Sequence, residues 1–245
     1  MRRLIARNAA ADSENRIHDD AAARRLGFAG ALVPGVTTYG LVVPAIVEAL
    51  GEGWLERGGA TLRLLRPVYD GETIVLRETP AAGGMEIVVE GEGGDRRATV
   101  ACVAAHGEVS PDLRDFPEAS LPSPPPLATR AALEGARVLG SIPLDSPEAA
   151  IDLAAAVVGA GNEIIARNFT LGPWMHVATD VAHFAATRAG DAVSARGRVA
   201  ALYECNGHEY VEADILVLAA NRPLARLRHT AIWRLGGGGM RQAPK

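Results

Sequence analysis

Several residue types are scarce in this chain of 245 residues, and each scarcity argues against a class of protein. Two cysteines cannot form a disulfide framework, which favours a protein of the reducing cytoplasm. Phe, Trp and Tyr make up only 4% of the residues, too few for the stacking platforms that bind single-stranded nucleic acid. The net charge of −4 does not predict the basic face that a nucleic-acid backbone requires.

Long apolar runs are also missing. The longest stretch, 36–50, is interrupted by polar residues and a proline, whereas a transmembrane helix needs about 20 apolar residues. The basic residues near the N-terminus are not followed by the apolar core of a signal peptide. We therefore expect a cytoplasmic protein that has no membrane partner.

Proline marks the clearest boundary along the chain. The segment 117–135 holds prolines at 117, 122 and 124–126, and consecutive prolines favour an extended, semi-rigid spacer. The sequence thus predicts an N-terminal domain over 1–116, a linker over 117–135 and a C-terminal domain over 136–235. The residues 236–245 begin with a glycine run, and we expect this tail to be disordered.

The two halves repeat one order of elements, an apolar helix followed by strands. The first helix is predicted over 35–50; it has no polar face and must be buried on every side. Pro44 should kink this helix or restart it. The second helix is predicted from Ser146, its N-cap, to about Val158.

The strands that follow alternate between apolar and polar residues. In 211–217 the odd positions are apolar, while Glu212 and Asp214 lie between them; this period of two predicts antiparallel strands that are buried on one face. Asn206-Gly207 is typical of a hairpin turn. A buried helix wrapped by an antiparallel sheet, twice over, is a tandem hotdog fold of the α+β class, with the two sheets joined edge to edge.

The segment 12–20 is the most informative for chemistry. It reads Asp-Ser-Glu-Asn-Arg-Ile-His-Asp-Asp and leads into a short helix predicted over 19–26. A histidine, several carboxylates and a helix start thus fall within a short length of chain, which is the composition of a site for general acid–base chemistry.

This segment carries a resemblance to a known family. The residues Asn-Arg-Ile-His-Asp-Asp at 15–20, Gly-Phe at 27–28 and Val-Pro-Gly at 33–35 resemble the MaoC-like (R)-specific enoyl-CoA hydratases, whose signature is Gly-Asp-x-Asn-Pro-(Leu/Ile/Val)-His. The turn Pro-Val-Tyr-Asp-Gly-Glu at 67–72 is also similar to one of that family, and the whole chain looks most like its double-hotdog members. The resemblance implies a lyase of fatty acid metabolism that hydrates a 2-enoyl thioester reversibly without a cofactor. It also implies an acyl-CoA or acyl-carrier thioester as substrate, and we expect a homo-oligomer.

Three residues take their roles from this resemblance. It implies that His18 is the catalytic histidine, that Asn15 positions water or the loop, and that the backbone N–H of Gly35 binds the thioester oxygen. The last role is physically sound, because the first N–H groups of a helix have no internal partner and carry partial positive charge.

The chain departs from the family at one important position. Ser13 stands where the family has its catalytic aspartate, and a serine cannot replace a carboxylate base. Asp12, Glu14 or Asp20 would have to supply the acid, or else Asp19, next to Asp20. Two alternatives stay open: a hotdog protein that binds acyl thioesters without turnover, and a thioesterase, for which Glu48 is the only acid on the central helix.

Other candidates are weaker. On a regular strand, His176 and Asp180 would share a face and could approach each other. His229 and Cys102 lie in apolar strands and are interpreted as core residues. The remaining histidines lack the spacing of metal ligands, so no metal site is predicted. The phosphates of CoA need cations, for which the candidates are Arg16, Arg24, Arg25, Arg63, Arg66 and Arg188.

Overall fold

The structure is a computed structural model that describes residues 1–144, 150–188 and 191–236. The predicted N-cap Ser146 and most of the predicted disordered tail lie outside these residues. The helices are α1 (Asp20–Arg25), α2 (Gly35–Leu50), α3 (Trp54–Arg57), α4 (Arg130–Gly135) and α5 (Ala150–Asn168), and 3-10 turns span Arg16–His18 and Leu113–Asp115. The strands are β1 (Arg2–Ile5), β2 (Gly59–Leu64), β3 (Thr73–Ala81), β4 (Gly84–Gly91), β5 (Arg96–Val103), β6 (Leu139–Leu144), β7 (Met175–His183), β8 (Val193–Cys205), β9 (His208–Ala219) and β10 (Arg222–Arg234).

All the described strands join one antiparallel sheet in the order β1-β3-β4-β5-β2-β7-β10-β9-β8-β6. Each half contributes five strands, and the order of the second half mirrors that of the first. The halves meet where β2 pairs with β7, with Gly59 opposite Ala182 and Arg63 opposite Ala178. This arrangement confirms the predicted tandem hotdog, in which the two sheets are joined edge to edge.

Helices α2 and α5 pack against each other inside the curved sheet. The α2 residues Val42, Val43 and Ile46 are fully buried, but the prediction of burial on every side is wrong, because Pro44, Glu48 and Ala49 are exposed. Pro44 does not restart the helix, which is continuous from Gly35 to Leu50. Burial of the residues on both sides of Pro44 offsets the roughly 3 kcal/mol that an interior proline costs a helix.

Helix α5 is longer than the sequence predicted, because it continues to Asn168 instead of ending near Val158. Two glycines near the predicted end differ in how closely their neighbours approach. A Cβ on Gly159 would lie 3.5 Å from the side chain of Val36, and one on Gly161 would lie 2.3 Å from Nδ1 of His229. Gly161 thus lets β10 approach the helix, whereas position 159 has room for a side chain.

The predicted linker contains structure that the sequence analysis did not identify. Helix α4 lies within 117–135; Thr129 caps it by accepting a hydrogen bond from the Ala132 N–H at 3.1 Å, and Leu133 is fully buried. The backbone of Ala128 donates to the Thr170 carbonyl at 2.9 Å. The segment is thus attached to the second half, and the proposed domain boundaries stay a prediction.

The hairpin between β8 and β9 confirms its sequence signal. Asn206 and Gly207 both adopt a positive φ, 51° and 78°, which a two-residue turn matched to the strand twist requires. Among the described residues, no helix is long and apolar enough to cross a membrane.

Candidate active site

The loop between β1 and α2 is held in place by its own small core. Ile17, Ala23, Phe28 and Leu32 are buried together, and the Leu32 N–H donates to the Ile17 carbonyl at 3.1 Å. The side-chain amide of Asn8 donates to the carbonyl of His18 at 2.8 Å. The histidine at the end of the 3-10 turn therefore sits on a fixed backbone.

The imidazole of His18 is oriented by a single strong contact. Its Nδ1 lies 2.7 Å from the Leu32 carbonyl oxygen, which can only accept, so Nδ1 carries the proton and donates. In the neutral ring, Nε2 then has a free lone pair. Burial lowers the pKa of His18 from its ordinary value, and the Leu32 carbonyl opposes that shift only in part. His18 is therefore neutral at pH 7 and can act as a base.

His18 opens onto a cavity of about 840 Å³, which is within the usual range for small-molecule sites. Both halves of the chain contribute to the wall. The lining residues are Asn15, Ile17, His18, Leu32, Val33, Pro34, Gly35, Thr38, Leu64, Leu65, Arg66, Pro67, Val68, Asn162, Trp174, Met175, His176, Val177, Asn206, Gly207, His208, Tyr210, Ile232 and Gly236.

The start of α2 also reaches this cavity. Gly35 is the first helical residue, and the first intrahelical bond runs from the Thr38 N–H to the Pro34 carbonyl at 3.0 Å. The N–H groups before Thr38 thus have no partner inside the helix, and the helix dipole makes this end attractive to a developing negative charge. A Cβ at Gly35 would lie 2.2 Å from Cδ1 of Leu64 and 2.9 Å from Nδ1 of His176. The site therefore requires glycine.

Asn15 lines the cavity, but its hydrogen bonds identify it as a clamp on the loop. Its amide donates to the Trp174 carbonyl at 2.9 Å and accepts from the Trp174 N–H at 3.4 Å. This pair of bonds joins the loop of the first half to the start of β7, so Asn15 fixes the loop against the wall that the second half supplies.

The structure does not bring the candidate carboxylates to His18. Asp12 and Glu14 are exposed, Ser13 hydrogen-bonds the Asn15 carbonyl at 3.4 Å, and none of the three lines the cavity. Asp20 is also exposed. It pairs with Arg24 and accepts a hydrogen bond from the Ala31 N–H; both contacts lower its pKa, and the contact with Arg24 has the larger effect.

Two further acids are also engaged elsewhere. Asp19 caps α1 by accepting from the Ala22 N–H at 2.8 Å. Glu48 pairs with Arg2 at 2.8 Å and is 70% exposed. Among the described residues that line the cavity, none is an aspartate or a glutamate.

Of the six arginines that the sequence analysis considered for phosphate binding, Arg66 alone lines the cavity. Its side chain is half exposed and lies 3.7 Å from Asp95, a distance at which the ion pair is loose. The other candidates include Arg24, paired with Asp20, and Arg63, paired with Asp180 at 2.8 Å.

His176 does not pair with Asp180, and a bulge in β7 explains why. Ala178 is opposite Thr230 of β10 and His176 is opposite the next residue, Ala231, so that the extra residue Val177 interrupts the alternation. This turns His176 to the same interior face as Thr179, while Asp180 faces the other way and binds Arg63.

A buried chain of polar groups starts at His176. Its Nε2 lies 2.7 Å from Oγ1 of Thr179, which lies 2.9 Å from Nδ1 of His229. The other ring nitrogen of each histidine, Nδ1 of His176 and Nε2 of His229, is buried without a partner. Burial lowers the pKa of His176 to about 4, although the backbone of Ala178 opposes that shift, and burial lowers the pKa of His229 well below its ordinary value. Both rings are therefore neutral. His229 is a core residue, as predicted, but its hydrogen bond leads to the cavity.

Asn162 and Thr38 are among the polar residues of the cavity that were not predicted from the sequence. Asn162 projects from α5, and its Oδ1 is buried without a hydrogen-bond partner; Thr38 is buried and donates to the Pro34 carbonyl at 3.4 Å. The sequence does contain an indication for Asn162, because a polar residue that follows an apolar run in a mostly buried helix is a candidate for a site. Within 1–144, 150–188 and 191–236, no three His, Cys, Asp or Glu side chains form a group that could hold a metal ion.

Comparison with known proteins supports the fold. No family model matches the chain, and no curated protein sequence matches it. It is similar to the dehydratase domain from the CurJ module of the curacin polyketide synthase, with 11% identity, a TM-score of 0.55 and coverage of 86% of each chain. A second similar structure, from work on dehydratases of type I polyketide synthases, has 10% identity and a TM-score of 0.55; the match covers 94% of this chain and 92% of that one. The acyl-CoA thioesterase II TesB2 from Mycobacterium marinum has 14% identity and a TM-score of 0.50, over 83% of this chain and 90% of that one. At these identities the likeness shows the hotdog fold alone.

Proposed function

We propose that the cavity binds an acyl thioester and that His18 catalyses its reversible hydration and dehydration between the 2-enoyl and 3-hydroxyacyl forms. The observation that carries this proposal is the fixed tautomer of His18. Its Nδ1–H is committed to the Leu32 carbonyl, which leaves a basic Nε2 in the same cavity as the start of α2. The resemblance to the MaoC-like hydratases supports the same reaction.

The dehydration can be written with one acid–base group. Nε2 of His18 takes the proton from the α-carbon of the 3-hydroxyacyl thioester, and the electron pair of that C–H bond forms the Cα=Cβ double bond. The C–O bond at the β-carbon breaks, and the leaving oxygen takes the proton from Nε2 and departs as water. Hydration is the reverse, and His18 ends each cycle neutral.

Negative charge develops on the thioester oxygen while the α-proton is removed. The backbone N–H of Gly35 is the donor placed to stabilise it, because it stands at the positive end of α2. The side-chain amide of Asn162 supplies a polar contact for the β-hydroxyl or for water, and it comes from the opposite central helix. Arg66 supplies positive charge for a carrier phosphate.

The absence of a carboxylate from the described cavity wall bears on the rate. In the family that the sequence resembles, an aspartate shares the acid–base work with the histidine. A second acid–base group contributes about 10²–10⁴-fold. We therefore expect His18 alone to give a slow hydratase.

The same absence favours one second candidate, a protein that binds acyl thioesters without turning them over. Hydrolysis of the thioester has less support, because Glu48, the acid that the sequence offered for it, pairs with Arg2 away from the cavity.

An absorbance assay of enoyl-thioester hydration with crotonyl-CoA and a longer 2-enoyl-CoA tests the proposal. We expect turnover by the wild type, its loss in His18→Ala and its retention in His106→Ala, a histidine that does not line the cavity. We also expect Ser13→Asp to leave the rate unchanged, because position 13 lies outside the cavity wall. A wild type that binds the thioesters and is inactive would favour the binding protein, and release of free CoA would indicate hydrolysis.

A further inference from the structure

The vicinity of Gly35 contains a second polar group that the proposed reaction has not used. His176 is only 8% exposed, and its Nδ1 has no hydrogen-bond partner. That nitrogen lies 2.9 Å from the place where a Cβ of Gly35 would be. A helix N-terminus and an unpartnered ring nitrogen thus lie next to each other, one from each half of the chain, with the end of Leu64 packed between them and the cavity.

The hydrogen-bond chain behind His176 decides whether this nitrogen carries a proton. Thr179 has one hydroxyl proton, which it gives either to Nε2 of His176 or to Nδ1 of His229. If His229 receives it, the Nε2 of His229 must carry a proton. If His176 receives it, the Nδ1 of His176 must carry one.

The two arrangements differ in where they leave an N–H without an acceptor. The first leaves it on Nε2 of His229, a residue that is 0% exposed. The second leaves it on Nδ1 of His176, which is also buried but belongs to a residue of the cavity wall; a ligand that displaces the end of Leu64 can accept it there. Because an orphaned N–H in the protein interior is costly, the second arrangement is favoured.

We propose that the Nδ1–H of His176 and the backbone N–H of Gly35 form a two-donor site for the carbonyl oxygen of the bound thioester. This inference rests on the proposed function for the identity of the ligand. His176 contacts the substrate oxygen, whereas Thr179 and His229 are positioning residues that hold the required tautomer. The first half of the chain supplies the base and one donor, and the second half supplies the other donor.

Two substitutions of His176 separate its two nitrogens. Asparagine places an amide group near the position of Nδ1, and glutamine places one near that of Nε2. The two variants are similar in polarity and differ in which contact they keep. We expect His176→Gln to lower kcat/KM for crotonyl-CoA by about 10²–10³-fold, as the loss of one oxyanion donor does elsewhere. His176→Asn should retain more activity.

A readout that does not need turnover separates this inference from the proposed reaction. The probe is butyryl-CoA labelled with ¹³C at the carbonyl, which binds as a thioester but has no double bond to hydrate. The wild type should lower its carbonyl stretching frequency in the infrared relative to buffer, and His176→Gln should reverse part of that shift. A wild type that shifts the frequency and hydrates no enoyl-CoA would support the two donors and refute hydration.

The positioning role has its own test. Thr179→Val removes the hydroxyl without changing the shape, so it carries the test if His176→Gln does not fold. The ¹⁵N spectrum of wild-type histidines should show a neutral His176 that is protonated on Nδ1. Thr179→Val should disturb that tautomer and weaken the carbonyl shift, and Thr179→Ser should restore both. Failure of butyryl-CoA to bind the wild type overturns the proposal, as does an unchanged carbonyl frequency in both His176→Gln and Thr179→Val.

Discussion

Replacing Gly35 by alanine adds one methyl group at the most crowded point of the proposed site. The new Cβ would lie 2.2 Å from Cδ1 of Leu64 and 2.9 Å from Nδ1 of His176. Unstrained carbon contacts lie at about 3.5–4.0 Å, so both neighbours would have to move. The end of Leu64 can rotate away, because it is partly exposed at the end of β2. His176 cannot move without losing its bond to Thr179.

Two effects of Gly35→Ala follow from this crowding. Overpacking of a fitted site costs about 1–3 kcal/mol, so the free energy of unfolding should fall by that amount. Displacement of His176 and of the first turn of α2 should lower kcat by about 10²–10³-fold, the cost of one misplaced oxyanion donor. Denaturant unfolding measures the first effect, and the hydration assay measures the second.

The matched control lies in the same helix. A Cβ on Gly40 would lie 3.4 Å from the Cβ of Ala155, close to an ordinary contact, and alanine is favoured over glycine in a helix interior by about 1 kcal/mol. We expect Gly40→Ala to keep both stability and activity. If Gly35→Ala matched Gly40→Ala in both measurements, the reasoning about this site would be refuted.

Three further outcomes are expected. Burial lowers the pKa of His18 below the ordinary value of about 6.5, so the base form predominates at neutral pH. We therefore expect kcat/KM to be constant near pH 7 and to fall only below about pH 6.5. A pH–rate profile in which kcat/KM already falls above that pH would contradict this. Arg66→Ala should raise the KM for an acyl-CoA several-fold, and Arg25→Ala, outside the cavity, should not; equal KM values would show that Arg66 does not bind the carrier. Gly161→Ala should destabilise the fold by about 1–3 kcal/mol because its Cβ would meet the ring of His229, whereas Gly159→Ala has room; equal melting temperatures would show that the helix can shift.

The sequence predicted those features of the fold that depend on local residues. Alternation located the strands, Asn206-Gly207 identified a hairpin, and the helix predicted over 19–26 is α1, which begins one residue later with Asp19 as its N-cap. The predicted end of α5 was wrong, because the helix continues to Asn168. The close approach of His229 to Gly161 within this extension becomes visible only once the neighbouring elements are in place.

The candidate site was less accessible from sequence, because its parts come from distant segments. The resemblance pointed to His18 and Gly35, which line one cavity. The role of His176 depends on the bulge at Val177, and a regular alternation placed it beside Asp180 instead. A one-residue irregularity changes the face of every side chain on one side of it, and nothing local in the sequence signals this one.

The hydrogen bonds between Asn15 and Trp174 join two cavity walls that belong to the same chain, so diluting the protein does not separate these walls. In hotdog proteins made of two separate copies, a site shared between them would empty as the copies dissociate. Here both sides of the cavity are on one chain, and covalent linkage gives them a high effective concentration for each other. The pairing of the two walls is therefore independent of protein concentration. In a symmetric dimer both halves must have the same sequence. Here the two halves differ, so one half can carry the histidine loop while the equivalent position in the other half has other residues.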